Sequence, residues 1–436
     1  MNFKKIAFYT LGCKVNQYET ESLKKQCKDY GLEIVEFDEK SDIYIVNSCT
    51  VTSIADRKTR NMLRRAKRNN KKAIVIATGC YAQTNAKDLE KLEEIDYVVG
   101  NTDKTGILKL IKKIEIEEES NKLLVKNIFE EKIYEELEFT TLREMSRAYI
   151  KIQDGCDSFC SYCKIPFARG NKRSRRFESI IQEAEILANE GFKEIILIGI
   201  NLGAYGEDLL NEDVNLEILL EKLVKINGIE RIRLGSIYPD KINDKFINLL
   251  KNQEKLMPHL HISLQSGDNK ILSLMKRKYT REDIIEVLNK LRKEVPNIEF
   301  TGDVIVGFPQ EQEENYINTY NLIKEIDFSD LHIFQYSDRE NTLASTYTGK
   351  ISSAIKKLRA DDLEKLRLES YENIRKKYIE QEIDVLIEEV KGIKAYGYTE
   401  NYIKVEVNNY SMKTNKILKV KLNNLVKGML TSEYKN

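Results

Sequence analysis

Three closely spaced cysteines are the first residues of this 436-residue chain whose type and spacing could do chemistry. Cys156, Cys160 and Cys163 stand in GCDSFCSYCKIP with C-x3-C-x2-C spacing. A loop this short can wrap three thiolates around one iron–sulfur cluster and leave the fourth iron without a protein ligand. Such an open iron can hold S-adenosylmethionine (SAM) for radical chemistry. A structural zinc would need a fourth ligand nearby, and no histidine is close in sequence, so the trio favours iron. The alternative is a chance grouping.

A second group of three cysteines is dispersed. Cys13, Cys49 and Cys80 stand in TLGCKVN, VNSCTVT and ATGCYAQ, and each ends a predicted parallel strand just before a helix. Such strand ends lie on one edge of a sheet, where open α/β sheets bind ligands, so the thiolates are expected to converge on a second cluster. Three buried structural cysteines are the alternative. Cys27, the seventh, stands mid-helix and is interpreted as a core residue.

The elements that must position the dispersed trio alternate along residues 1–113. The predicted strands are Ile6–Cys13, Ile43–Cys49, Ala73–Cys80 and Tyr97–Gly100, with helices at about 16–30, 52–69, 86–94 and 104–113. Val- and Ile-rich strands alternating with helices indicate an open parallel α/β sheet covered on both faces. Residues 111–140 are charged and carry nine Glu, so we interpret them as a linker or a peripheral hairpin.

From about residue 147, a second series of six β/α units predicts a barrel or partial barrel. The predicted strands are Arg147–Gln153, Glu194–Ile200, Arg231–Ser236, His259–Gln265, Ile298–Val306 and Asp330–Tyr336. The helices between them are predicted at about 178–190, 216–226, 241–250, 281–294 and 311–326. The chemistry of such a barrel lies at the C-terminal ends of its strands.

After a long charged helix at about 352–380, the pattern changes to short strands. Five of them are predicted, at Asp384–Val390, Lys394–Tyr398, Ile403–Val407, Ile417–Lys421 and Met429–Tyr434. Such a run of strands joined by Gly- and Asn-bearing turns indicates a small five-stranded β-barrel of the size used for nucleic-acid binding.

Overall composition indicates a soluble, cytoplasmic protein. No apolar run reaches the roughly 18 residues of a membrane span, and MNFKKIAFYTLGC reads as a buried strand without a signal-peptide cleavage site. The net charge of +1 averages over segments of opposite sign. Arg57–Lys72 has nine basic residues and no acid, Arg169–Arg176 has five more, and Val390–Asn436 has a net charge of +6. Such patches attract phosphates. For Arg57–Lys72 a solvated helix face is an equal alternative, whereas for Arg169–Arg176 we favour RNA contact.

Together with the cysteine loop, six further motifs make the chain familiar. They are LGCKVNQYETE (11–21), NSCTVTSIAD (47–56), ATGCYAQ (77–83), RLGSIYPD (233–240), HISLQSGDNKILSLMKRKY (261–279) and VIVGFPQE (304–311). With these motifs the chain resembles the radical-SAM methylthiotransferases over nearly its whole length. The resemblance implies a methylthiotransferase domain at 1–114, a charged linker at 115–141, a radical-SAM core at 142–371 and a TRAM domain at 372–436.

LGCKVNQYETE is similar to the MtaB-type branch of that family. This branch implies conversion of N6-threonylcarbamoyladenosine at position 37, beside the tRNA anticodon, into its 2-methylthio derivative. Around the second cysteine this chain has NSCTVT where NTCTVT is commoner in that branch. The alternative is methylthiolation of isopentenyladenosine in tRNA. A rival of another class is a non-enzymatic iron–sulfur protein that binds RNA or senses redox state.

The resemblance also implies cofactors, contacts and partners. The cluster on Cys156, Cys160 and Cys163 would hold and reduce SAM, and that on Cys13, Cys49 and Cys80 would carry the transferred sulfur, so two [4Fe–4S] clusters are expected. The SAM contacts expected by analogy are Tyr162, Asn201, Ser236 and Gln265. The expected partners are the tRNA anticodon stem-loop, a reductant such as flavodoxin or ferredoxin, and a sulfur donor, with no membrane.

Overall fold

A computed structural model describes residues 3–117, 121–137, 146–210 and 213–434. The chain divides into two compact units. The first comprises Met1–Leu142, Lys151–Arg175 and Ser337–Ser345, and the second comprises Arg143–Ile150, Arg176–Tyr336 and Thr346–Asn436. None of the helices within the described ranges combines the length and the apolar character needed to cross a membrane.

A six-stranded sheet forms the centre of the first unit. In spatial order its strands are Glu33–Val35, Lys5–Thr10, Ile43–Ser48, Ile74–Gly79, Tyr97–Val99 and Leu123–Leu124. Every neighbouring pair is parallel. The helices of this part are Lys14–Asp29, Ser53–Asn69, Cys80–Thr84, Ala86–Glu90 and Ile107–Glu115.

Alternate residues of the central strands enter two separate apolar cores. Tyr44 and Val46 pack in one core, whereas Ile43 and Ile45 pack in the other. Because successive side chains of a strand point to opposite faces, this separation shows that the sheet is covered on both faces. The predicted parallel α/β sheet is confirmed.

The two edge strands of this sheet were not predicted. The strand Leu123–Leu124 comes from the segment interpreted as a linker or hairpin, and it pairs with Val98 and Val99. Parts of that segment, residues 118–120 and 138–140, lie outside the described residues. In place of the helix predicted at 86–94, the structure has the shorter helix Ala86–Glu90.

The first unit also contains the loop with the closely spaced cysteines. An antiparallel pair of two-residue strands, Gln153–Asp154 and Arg173–Ser174, forms its base, and the helix Ile165–Arg169 lies between them. The backbone N–H of Cys156 donates to the carbonyl of Gly170 at 3.0 Å. The loop is therefore closed by its own main chain. The remaining short elements are the 3-10 helices Ile128–Glu130 and Leu343–Thr346.

The second unit has the six strand positions expected of a partial (β/α)6 barrel, in chain order. Its strands are Arg147–Lys151, Glu194–Ile198, Arg231–Leu234, Ser236–Ile237, His259–Gln265, Glu299–Val306 and Asp330–Gln335. The third position is divided at Gly235, so the first three positions form one sheet and the rest form another. Helices follow at Phe177–Asn189, Leu216–Leu223, Asp244–Asn252, Asn269–Leu274, Arg281–Glu294 and Glu313–Ile326, with 3-10 turns at Leu202–Ala204 and Pro239–Lys241.

Local sequence explains where these elements begin and which face they bury. Thr280 and Asp283 form a reciprocal capping box at the start of the helix Arg281–Glu294, which satisfies backbone donors that the first turn leaves free. In the fifth strand position, Phe300 and Val304 are fully buried, whereas Asp303 is partly exposed. The apolar face of this strand therefore packs in the core and its polar face points to the other side.

A 24-residue helix, Ser353–Lys376, follows, and its N-cap residue Ser352 accepts a hydrogen bond from the backbone of Ile355. The chain then forms a closed barrel of five strands, in the spatial order Glu382–Lys391, Lys394–Thr399, Lys404–Asn408, Met429–Glu433 and Ile417–Val426. Its core is mostly aliphatic, with Val385, Ile387, Val405 and Val407, and also contains the buried Tyr410. The predicted five-stranded barrel is confirmed.

Candidate functional site

The three dispersed cysteines follow three adjacent strands of the first unit. Cys13 precedes the helix that begins at Lys14, Cys49 follows the strand ending at Ser48, and Cys80 begins a short helix after Gly79. The three strands are neighbours and parallel. The cysteines therefore share the sheet edge that the sequence predicts.

Glycines allow close approach at this edge. Gly12 has φ +107°, and a Cβ added there would lie 2.9 Å from the Cβ of Cys49. Gly79 has φ +92°, and a Cβ there would lie 2.4 Å from the Asn47 side-chain oxygen. Because a side chain would both strain the backbone and collide with a neighbour, each position requires glycine.

Two thiols of this trio, Cys49 and Cys13, have raised pKa values. Burial, together with the nearby Cys80 and Cys13 thiols, raises the pKa of Cys49 to about 12, against the opposing effect of Arg169. The Cys13 side chain is reached by solvent yet surrounded by protein atoms, and this desolvation raises its pKa, again opposed by Arg169. Three thiols and one guanidinium thus share one neighbourhood.

Two asparagines contact this trio directly. The Cys13 Sγ lies 3.7 Å from the Asn16 Oδ1, and the Asn101 Nδ2 lies 3.8 Å from the Cys80 Sγ. Asn16 also donates to the carbonyls of Leu11 and Ser48 at 2.8 and 3.0 Å. These bonds fix the loop that carries Cys13 against the neighbouring strand.

In the cysteine loop, backbone amides point at sulfur. The N–H of Ser158 approaches the Cys156 Sγ at 3.5 Å, and that of Ile165 approaches the Cys163 Sγ at 3.4 Å. Amide donors of this kind stabilise thiolate charge and tune iron–sulfur clusters. Gly155, with φ +72°, packs so tightly that an added Cβ would lie 1.8 Å from the carbonyl oxygen of Asn171.

The spacing of the sulfurs argues against a single metal ion. With Zn–S bonds of about 2.3 Å, tetrahedral geometry places two sulfurs about 3.8 Å apart. Among the described residues, which include all seven cysteines, no three cysteine sulfurs lie within 4.8 Å of one another. Neither trio therefore has the sulfur spacing of a tetrahedral zinc site. Cys27 is fully buried in the core, as predicted.

A buried network of charges connects the motif of the first cysteine with the cysteine loop. Arg169 donates to Glu19 at 2.8 Å, to Asp154 at 3.0 Å and to the Asn16 side-chain oxygen at 2.7 Å. Lys151 donates to the same Glu19 and Asp154 at 3.0 and 2.7 Å. Lys104 forms a further ion pair with Glu19.

These ion pairs determine the charge of the two carboxylates. Burial alone would raise the pKa of Glu19, but Arg169, Lys104 and Lys151 hold it well below its ordinary value. Asp154 has its pKa lowered in the same way, against its own burial, by Arg169 and Lys151. Both carboxylates are therefore ionised, and Arg169, Lys104 and Lys151 surround them.

One buried donor of this network has no acceptor. The Arg169 Nε has no hydrogen-bond partner among the described residues, although its guanidinium lies near the Cys13, Cys49 and Cys80 thiols. A buried donor without a partner costs about 1–3 kcal/mol. The Nε atoms of Arg339, Arg359 and Arg375 are in the same condition, but among these four arginines the cysteine pKa values respond to Arg169, so its Nε is the one placed to donate to a group that the trio would hold.

The predicted RNA contact of Arg169–Arg176 is wrong for its three buried arginines. Arg169, Arg173 and Arg175 are at most 5% exposed. Arg175 pairs with Glu136 at 2.8 Å, and Lys172 pairs with Asp157. Three of the five basic side chains in this segment therefore point into the protein, and a run that reads as a surface patch is largely buried.

The other two basic segments retain exposed charge. In the helix Ser53–Asn69, Arg64, Arg65 and Lys67 are paired with acids. In the described ranges no ion pair is seen for the other exposed cations of this segment, namely Arg57, Lys58, Arg68, Lys71 and Lys72. On the C-terminal barrel the same holds for Lys413, Lys416, Lys419 and Lys427.

The four predicted SAM contacts occupy loop and strand-end positions. Tyr162 is half-buried in the cysteine loop of the first unit. In the second unit, Asn201 is buried where a 3-10 turn begins, Ser236 is exposed just after Gly235, and Gln265 ends its strand with φ +66°. The three second-unit residues thus lie at or beyond the C-terminal ends of barrel strands.

Sequence reasoning missed the anions and lysines that surround Arg169. Glu19 lies within LGCKVNQYETE, where Asn16, Glu19 and Thr20 are all buried on the helix Lys14–Asp29. Their spacing of i, i+3 and i+4 places them on one face of the helix. Three polar residues on one face beside a cysteine were the available signal.

Two family profiles match the chain. The profile described as "Uncharacterized protein family UPF0004" matches residues 5–100, and that of the Radical SAM superfamily matches residues 150–323. Among solved structures, the chain is similar to the radical S-adenosylmethionine methyltransferase TsrM from Kitasatospora setae. The TM-score is 0.58 at 16% identity, covering 77% of this chain and 75% of that one, which is a likeness of fold.

Curated relatives match at higher identity and over nearly their whole length. The chain is 43% identical to the threonylcarbamoyladenosine tRNA methylthiotransferase MtaB of Aquifex aeolicus, over 93% of this chain and 97% of the relative. It is 42% identical to the protein of the same name in Bacillus subtilis, over 96% and 93%. It is 35% identical to the tRNA-2-methylthio-N(6)-dimethylallyladenosine synthase of Petrotoga mobilis, over 98% of both chains.

Proposed function

Because this chain belongs to the family of radical-SAM tRNA methylthiotransferases, we propose that it converts N6-threonylcarbamoyladenosine at position 37 of tRNA into 2-methylthio-N6-threonylcarbamoyladenosine. One observation carries this proposal. The chain aligns with relatives named for this nucleoside at 42–43% identity over more than nine-tenths of its length, and it brings six cysteines into two trios. The enzyme is thus a transferase that delivers sulfur and a methyl group.

The choice of nucleoside rests on the ranking of relatives and on one motif. Five relatives named for threonylcarbamoyladenosine have identities of 33–43%, and two of them, at 43% and 42%, exceed the 33–35% of three relatives named for dimethylallyladenosine. LGCKVNQYETE around Cys13 supports the same choice. Methylthiolation of isopentenyladenosine is the second candidate.

Two [4Fe–4S] clusters and SAM fit the residues of the chain. Cys156, Cys160 and Cys163 would hold one cluster, because their loop offers three sulfurs and amide donors to two of them. The trio of Cys13, Cys49 and Cys80 would hold the other, beside the unpartnered Nε of Arg169. When bound, these groups supply a radical that removes the C2 hydrogen of the base and the sulfur that replaces it.

The protein's own residues position and insulate this chemistry. Arg169 orients Glu19 and Asp154 and sets a positive potential beside the second trio. Tyr162 would pack near the SAM adenine and Asn201 would approach its methionine moiety. Ser236 and Gln265 would contact SAM from later strand ends.

The partner tRNA would meet exposed basic surface. The lysines of the C-terminal barrel and the exposed cations of the helix Ser53–Asn69 are suited to phosphate contact. Because single-stranded loops present unstacked bases, the anticodon stem-loop suits an enzyme that modifies a base edge. A reductant such as flavodoxin or ferredoxin and a sulfur donor complete the expected set of partners.

Nucleoside mass spectrometry of tRNA tests this proposal. In a strain without this gene, the 2-methylthio-threonylcarbamoyl nucleoside should disappear and its unmethylthiolated precursor should remain. A plasmid copy should restore it, and so should the Cys27→Ala variant, a matched control outside both trios. Cys160→Ala should not restore it. Loss of the methylthio-isopentenyl nucleoside instead, with the threonylcarbamoyl derivative intact, would overturn the assignment.

A further inference from the structure

All three histidines of the chain lie on neighbouring strands of the second unit. His259 and His261 belong to the fourth strand position and His332 to the sixth, on either side of the strand that carries Thr301 and Asp303. In the register of these strands, His261 is opposite Thr301 and His332 is opposite Asp303. Because side chains alternate along a strand, these five residues share one face of the sheet.

The side chains of this face meet around one carboxylate. The Asp303 Oδ2 lies 3.1 Å from the His261 Nε2, and the Asp303 Oδ1 lies 3.1 Å from the His332 Nδ1. One ligand atom from each of the three residues falls within 4.8 Å of the other two. Among the described residues, this is the only such group of histidine, cysteine and carboxylate side chains.

We propose that His261, Asp303 and His332 bind one divalent first-row transition-metal ion, such as zinc or cobalt. Bonds of about 2.0–2.2 Å from a metal to nitrogen or oxygen place neighbouring ligand atoms about 3.3–3.6 Å apart at the tetrahedral angles of zinc, and about 3 Å apart at octahedral angles. The two observed separations of 3.1 Å lie near this range, so an ion requires a shift of a few tenths of an ångström at most. Two imidazoles and one carboxylate favour such ions over magnesium or calcium, which prefer oxygen ligands alone.

A second layer of contacts orients the first ligand. The His261 Nδ1 is 2.8 Å from the Thr301 hydroxyl, so its other nitrogen points at Asp303. Thr301 also contacts the His259 Nε2 at 3.0 Å, and the His259 ring packs against Tyr402 at 4.7 Å. Metal-binding histidines usually have their second nitrogen held in this way, which fixes the tautomer and the ring.

Exposure gives an ion a route to these residues. The side chain of His332 is 65% exposed, whereas those of His261 and Asp303 are 15% and 22% exposed. An ion could therefore enter past His332 onto two ligands that the sheet already holds. This nitrogen and oxygen site differs in chemistry from the two cysteine trios and goes beyond the proposed methylthio transfer.

Cobalt binding to the cluster-loaded enzyme tests the proposal. With both clusters in place the six cysteines are occupied, and equilibrium dialysis against micromolar Co²⁺ under anaerobic conditions should add about one cobalt per chain. The cobalt is measured by mass spectrometry beside the iron. X-ray absorption at the cobalt edge should show the outer-shell scattering of imidazole.

Variants separate this site from non-specific binding. His332→Asn and Asp303→Asn should each weaken cobalt binding at least about 100-fold, because each removes a ligand. Asp361→Asn is the matched control, since Asp361 is an exposed carboxylate on the helix Ser353–Lys376. It should bind cobalt like the unaltered enzyme. An unchanged iron content in His332→Asn will show that the variant is folded.

Two results would overturn the inference. One is an unaltered enzyme, with both clusters loaded, that takes up no cobalt above the level of His332→Asn. The other is bound cobalt without imidazole scattering. Either would mean that the three side chains form only a hydrogen-bonded cluster. Neither result depends on tRNA modification, so a failure here is distinguishable from a failure of the proposed function.

Discussion

The guanidinium of Arg169 forms a bidentate ion pair with the carboxylate of Glu19, in which Nη1 donates to Oε1 at 2.8 Å and Nη2 donates to Oε2 at 3.1 Å. Both side chains are 1% exposed. Arg169 follows the closely spaced cysteines and Glu19 follows Cys13, so this pair connects the two cysteine motifs within the first unit. A change at either residue therefore affects both motifs.

Replacing Glu19 by Gln should strongly destabilise the protein. The change leaves Arg169, Lys104 and Lys151 around a neutral group, and removing one partner of a buried ion pair costs about 3–5 kcal/mol. Denaturant unfolding of the cluster-free protein measures the loss. Glu21→Gln, which breaks a partly exposed pair with Lys24, should cost under about 1 kcal/mol. Equal stability of the two variants would contradict the role of Glu19.

The ionisation of Glu19 should also make the free energy of unfolding depend on pH in the acidic range. Its pKa in the folded protein lies below its value in the unfolded chain, because Arg169, Lys104 and Lys151 outweigh its burial. The stabilisation is therefore complete above the unfolded value of about 4.3 and is lost as the pH falls through the lower, folded pKa. The free energy of unfolding, measured from pH 6 downward, should fall less steeply for Glu19→Gln. Parallel curves would contradict this.

The charge of the network should shift the reduction potential of the cluster proposed on Cys13, Cys49 and Cys80. Reduction adds negative charge, so removing a nearby cation by Arg169→Gln should lower the potential by on the order of 50 mV. Removing an anion by Glu19→Gln should raise it. Redox titration followed by electron paramagnetic resonance measures both. If damage to the fold were the cause, the reduction potentials of both variants would shift in the same direction. A shift of both potentials in one direction would therefore refute the electrostatic explanation.

Each cysteine trio should account for half of the iron that the protein binds. Cys49→Ala and Cys160→Ala should each lower the reconstituted iron from about eight to about four per chain, since each trio would hold one [4Fe–4S] cluster. The double variant should hold almost none. Cys27→Ala should keep all of it, because Cys27 lies in the apolar core. If a single variant retained about eight irons per chain, the replaced cysteine would not be a cluster ligand.

The exposed lysines of the C-terminal barrel should contribute to tRNA affinity. Changing Lys413, Lys416, Lys419 and Lys427 together to Gln should weaken binding and flatten its salt dependence, by up to about 0.7–0.9 in slope for each phosphate that is no longer neutralised. Filter binding at several salt concentrations measures both effects. Lys394→Gln is the control, because Lys394 is paired with Glu406 at 2.8 Å. If the salt dependence of binding were unchanged in the quadruple variant, these four lysines would not contact the RNA.

The sheet and the cysteine edge could be predicted from sequence because their signals are local. Cys13, Cys49 and Cys80 each end an apolar run before a helix, and parallel topology then brings them together. The edge strand Leu123–Leu124 could not be found this way. Its two residues carry no period, and its place in the sheet depends on main-chain pairing with Val98 and Val99.

The direction of the charges was also beyond sequence reasoning. Arg169 and Arg175 read as a basic surface because their acidic partners lie outside the basic run, and Glu136 is 39 residues from Arg175. Glu19 is 150 residues from Arg169. A run of arginines in the sequence shows how much positive charge is present, but not whether the side chains face solvent or the protein interior. Tertiary contacts determine that.

The bond that closes the cysteine loop, from the Cys156 N–H to the Gly170 carbonyl, also bears on what it costs to order the three cysteines. Fixing a backbone costs about 1–2 kcal/mol of conformational entropy per residue. This bond and the strand pair Gln153–Asp154 with Arg173–Ser174 join the two ends of the loop. Main-chain contacts of the protein itself therefore offset part of the entropy lost when the segment that carries the cysteines is ordered.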